Sequence, residues 1–147
     1  MAARSRSTIA EGAVYAAHVE SDSRSSLDEA FEAGARLFDE GRHWDAHEAW
    51  EERWRIETSE ASRLFLQALI QLTAAFHKSW VVGDAASAAR LLAKARAKLE
   101  AVATDRGWSP AAIGVDLDAL RALVDECSID LERGPLQPRT IPRKEKA

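Results

Sequence analysis

The chain has 147 residues, 46% of them hydrophobic and 30% charged, and a net charge of −4. One domain of that length can bury a core without disulfides or a structural metal, and the composition argues against a disordered, membrane-embedded or nucleic-acid-binding chain. The single cysteine, Cys127, excludes an intramolecular disulfide and a cysteine-based zinc site within one chain.

Residues 1–25 are rich in Ser, Arg and Ala without a sustained period, and read as a weakly ordered arm with a helical turn around Ala13 to Val19. The arm starts basic, but Glu11, Gly12 and His18 interrupt any apolar secretory core, so a cytoplasmic location is expected. From Ser26 the spacing is helical: Leu27, Ala30, Phe31, Gly34, Leu37 and Phe38 form one stripe, and Gly41 supplies a left-handed stop. After an Arg42-His43-Trp44 connection, Asp45 and Glu48 have the spacing of a capping box for a second helix, Ala46 to about Ile56. Thr58 or Ser59 caps a third helix that continues to Gly83-Asp84.

Helix three is apolar nearly all round: Phe65, Leu69, Leu72, Phe76 and Trp80 fill one face and Leu66, Ile70 and Thr73 another. Such a helix is central. Helix four, about Ala85 to Ala103, is one-sided, with Ala88, Leu91, Leu92, Ala95, Leu99 and Val102 on one arc. After the break at Gly107 to Pro110, a fifth helix capped by Asp116 buries Leu117, Leu120, Val124, Cys127 and Leu131. Cys127 on that face reads as a small buried hydrophobe. The tail, 135–147, is proline-rich and basic, and is expected to be extended and mobile. No stretch alternates with period two, so the fold class is all-α: one bundle domain of about five helices over 26–134.

The chemistry concentrates in helix two. With His47 at 0°, Trp54 falls at about −20°, Glu51 at about 40°, Trp50 at about −60° and Glu48 at about 100°. His47, Glu51 and both tryptophans share an inner face, whose polar atoms need internal partners, Gln67 and Gln71 being the nearest on helix three. The run His47-Glu48-x-x-Glu51 is not a zinc-protease signature, because Glu51 replaces the second imidazole. A His and a Glu one turn apart can still ligate a metal, with Glu48 and His77 as further ligands, although His77 lies about 120° from Gln71 on its helix. Phosphate-binding, dinucleotide and nucleophile-elbow motifs are absent.

The string Phe38-x-x-Gly41-x-x-Trp44-x-x-His47-Glu48-x-x-Glu51-x-x-Trp54, then Phe65-Leu66-Gln67-x-Leu69-Ile70-Gln71-Leu72, His77 and Gly83-Asp84, resembles the family catalogued as domain of unknown function 309 over about residues 27–103. Trp50 stands where members of that family often have a small aliphatic residue. The resemblance implies a small all-helical bundle without an assigned activity. It marks His47, Glu48, Glu51, Trp54, Gln67, Gln71 and His77 as the positions to examine.

The leading expectation is therefore a non-enzymatic binding or interaction module with a buried His/Glu/Trp/Gln network, its partner another protein or a second copy of itself. No cofactor, nucleic acid or membrane is expected. The alternative is a metal-dependent or acid/base enzyme using His47, Glu48 and Glu51, with a divalent metal as its cofactor.

Overall fold

The computed structural model describes residues 26–146, so the amino-terminal arm, with its expected turn at Ala13 to Val19, lies outside the described residues. Five α-helices follow in order: α1 (Leu27–Asp39), α2 (His43–Ile56), α3 (Glu60–His77), α4 (Ala85–Ala103) and α5 (Leu117–Arg133). Each packs on its predecessor, and the connections from α1 to α2 and from α2 to α3 are short, as neighbouring helices of a bundle allow. Among the described residues there is no strand, only an isolated bridge between Val115 and Arg143. None of their helices is long and apolar enough to cross a membrane.

Most helix starts are set by local hydrogen bonds. The Glu29 carboxylate accepts from the Ser26 amide at 3.0 Å, opening α1. Ser59 Oγ accepts from Ser62 N, Asp84 Oδ1 from Ser87 N and Asp116 Oδ1 from Ala119 N, capping α3, α4 and α5. Gly41, at φ +82°, ends α1 in the left-handed conformation.

Helix α2 departs from expectation, because it begins at His43 rather than Ala46. The turn at Gly41 is tight enough for helical backbone to resume at once, with Ala46 N donating to Arg42 O. Asp45 is then inside the first turn, where its carboxylate takes the Arg42 guanidinium at 2.8 Å instead of capping amides. The expected capping box with Glu48 does not form.

The central position of α3 is as expected, with Phe65, Leu66, Leu69, Leu72, Thr73 and Phe76 all buried between α2 and α4. Beyond His77 the helix widens into a π-helical turn, Lys78–Val82. That turn breaks the 3.6 period, and Trp80, expected on the inner face, is 41% exposed, its indole donating to Leu136 O at 2.7 Å.

The tail corrects the expectation of a mobile end. It is extended, but Leu136 and Ile141 are buried in the core. Ser79 Oγ accepts from the Leu136 amide, Asp39 from the Ile141 amide, and Gly114 O from the Lys144 amide. Arg143 reaches Glu32 at 3.0 Å and Asp39 at 2.7 Å, strapping the tail to α1.

Candidate functional site

Helix α2 positions its side chains much as its angular spacing requires. Trp50 is fully buried, and its indole donates to Phe31 O at 3.3 Å. Trp54 is half-buried under the Arg63 guanidinium, 4.1 Å from the ring centroid, while Arg63 also donates to Trp54 O at 2.8 Å. His47 is half-buried with Nδ1 3.7 Å from Glu51 Oε1 and 3.9 Å from Glu48 Oε2. Glu48 is the most exposed of the three, and its length brings it to His47 despite its place on the flank of the wheel.

Among the described residues, the hydrogen bonds expected of a His/Glu/Trp/Gln network do not form. His47 Nδ1, Trp54 Nε1 and Gln71 Oε1 are buried and have no hydrogen-bond partner among the described residues. Each such atom costs about 1–3 kcal/mol unless something satisfies it. Gln67 is half-buried on α3. His77 does not join the carboxylates; it meets them through Trp44, whose ring stacks on His47 at 5.0 Å and 2° and lies 5.5 Å from His77.

His43, expected in the connection between two helices, is instead the first residue of α2. Its ring is buried, stacked on Phe76 at 4.6 Å and edge-on to Phe38 and Trp80. Burial pushes its pKa down to about 4, so it is a neutral, aromatic-like filler. The only early signal was its place two residues after Gly41.

Above His43 lies a recess of about 260 Å³, lined by His43, Trp44, Phe76, His77, Trp80 and Val81 among others. Trp44, Val81 and Val82 are more than half exposed. His47, Glu48 and Glu51 do not line this recess. One end of the α2–α3 pair thus carries an aromatic hollow, and the adjacent turn of α2 carries an imidazole between two carboxylates.

Fold and site together define an all-helical bundle that carries a polar cluster and an aromatic recess on one helix pair. Residues 31–91 match the family model described as Domain of unknown function (DUF309), and the match lies within the 27–103 span of the resemblance. No curated protein matches the chain.

Proposed function

We propose that this protein is a non-enzymatic binding module that receives a bulky apolar side chain of a protein partner in the recess between Trp44 and Trp80. The observation that carries the reading is the grouping of exposed Trp44, Trp80, Val81 and Val82 at one corner of the bundle. Large apolar side chains gathered on a surface mark contact sites, and tryptophan is prominent among residues that dominate binding energy. The recess, about 260 Å³, is below the usual small-molecule range of about 300–1,000 Å³, which favours a side chain as occupant. Its lining joins aromatic and aliphatic side chains and two imidazoles to the Arg42–Asp45 ion pair, and the Glu48 and Glu51 carboxylates stand outside it. That separation disfavours acid/base chemistry by the cluster on a molecule held there.

The test is a Val81→Asp, Val82→Asp double variant. Both side chains are exposed, so its unfolding free energy should stay within about 1 kcal/mol of wild type. Complexes of the protein in cell extracts, resolved by size, should collapse to the free chain. Complexes that survive the double substitution would contradict the reading.

A further inference from the structure

We infer that the carboxy-terminal segment, Leu136 to Arg143, is a strap that builds the recess: docked, it holds Trp80 in place as one wall, and released, it frees that wall. Both polar backbone groups of Leu136 engage consecutive residues of the π-helical turn. Its amide donates to Ser79 Oγ at 3.0 Å, and its carbonyl accepts from the Trp80 indole at 2.7 Å. The Leu136 side chain is buried, so the backbone that makes these bonds is itself fixed. The turn needs such support, because over Lys78–Val82 the backbone leaves the α-helical spacing and carries Trp80, Val81 and Val82 to the surface. Trp80 keeps edge contacts with His43 and Phe76, at 4.7 and 5.6 Å between ring centres, but packing on one side alone does not fix an indole that is 41% exposed. The bond to Leu136 does. A side chain held in its binding position before a partner arrives binds more tightly, because its ordering no longer counts against association.

The far end of the strap is tied to α1. Ile141 N donates to Asp39 Oδ1 at 2.8 Å, and the Arg143 guanidinium takes Asp39 Oδ2 at 2.7 Å. Asp39 lies two residues before Gly41, which also lines the recess. The strap therefore joins the end of α1 to the π-helical turn, the two segments that flank His43. Between these anchors Arg139 pairs with Glu126 and Asp130 on α5. Arg139 and Arg143 are partly exposed, so salt screens their ion pairs and loosens the strap while the apolar packing of α2 on α3 is left intact. The link from the tail to Trp80 stands on these contacts alone; its effect on binding rests on the reading of the recess as a contact surface.

The test follows deuterium exchange of the tryptophan indole N–H groups in the full chain by NMR. An Arg139→Gln, Arg143→Gln double variant, altered far from the indole, should speed exchange at Trp80 about tenfold, while Trp108, whose indole donates to Ser62, stays within about twofold of wild type. Ser79→Ala, which removes one of the two Leu136 bonds, should act in the same direction and keeps the test decisive if the double variant fails to fold. Lys94→Gln, a charge removed from the exposed side of α4, should change neither indole. With a photo-cross-linking residue at position 81, the yield of partner adduct should fall in the double variant as Trp80 exchange rises. Unchanged Trp80 exchange in both variants, or equal acceleration at Trp108, would overturn the strap. Faster exchange with undiminished adduct would overturn its control of binding. A wild-type chain that gives no adduct speaks against the contact surface, and the exchange result then decides the strap by itself.

Discussion

The indole of Trp50 lies directly over Gly34: a Cβ on that glycine would fall 2.2 Å from Nε1. The same nitrogen donates to Phe31 O one turn earlier on α1, so the close approach of α1 and α2 is built from a missing side chain and a large one. Gly34→Ala therefore forces the buried ring out of place. Overpacking and a strained hydrogen bond should together cost about 3 kcal/mol, more than the roughly 1 kcal/mol that alanine gains in helix propensity. Trp50→Leu should leave a cavity and cost about 3 kcal/mol alone, yet offset part of the Gly34→Ala loss when the two are combined. Urea unfolding of the four proteins measures this coupling; strict additivity would refute the contact.

His43 predicts a pH dependence with a definite sign. Its folded pKa is about 4, below the ordinary 6.5, so the unfolded chain binds more protons between those values. The contribution of neutral His43 is full above about pH 6.5 and is lost as the pH falls toward 4, up to about 3 kcal/mol. In His43→Leu the slope of stability with pH across that window should shrink. Equal slopes in variant and wild type would show that other groups govern the acid limb.

The docked tail contributes to stability through a buried anchor, Ile141, and a partly exposed one, Arg143. Ile141→Ala should cost about 2–4 kcal/mol and Arg143→Ala about 1 kcal/mol, the latter diminishing in high salt because its ion pairs are partly exposed. Denaturant midpoints at low and high salt distinguish the two. The Arg143 hydrogen bond also holds the Glu32 carboxyl below its usual range.

Cys127 is fully buried on α5, and burial pushes its thiol up to about 12. A thiol reagent at pH 8 should label the native chain only as fast as it opens, and the unfolded chain at once. Rapid native labelling would contradict the packing of α5.

The helices were legible where their ends are written in short-range chemistry. Ser59, Asp84 and Asp116 cap as their positions predict, and Gly41 turns as a glycine at a helix end does. Asp45 misled because it satisfies the same local rule, but Arg42 three residues earlier competes for its carboxylate. The tail was illegible for the opposite reason. Leu136 and Ile141 show no period among prolines, and their partners Ser79 and Asp39 are distant in sequence. At the candidate site, the shared face of His47 and Glu51 followed from helix geometry. The recess did not, because it depends on a π-helical turn that exposes Trp80 and on a histidine that serves as an aromatic ring.

The most direct test of the recess as a contact surface is a photo-cross-linking amino acid at position 81, with a control at exposed Lys94 on α4. The proposal predicts one discrete adduct from position 81, none from position 94, and its loss when Trp44 is replaced by alanine. An adduct mass of twice the chain would identify a second copy as the partner; any other mass, a different protein. Equal labelling from both positions, or an adduct indifferent to Trp44→Ala, would contradict it.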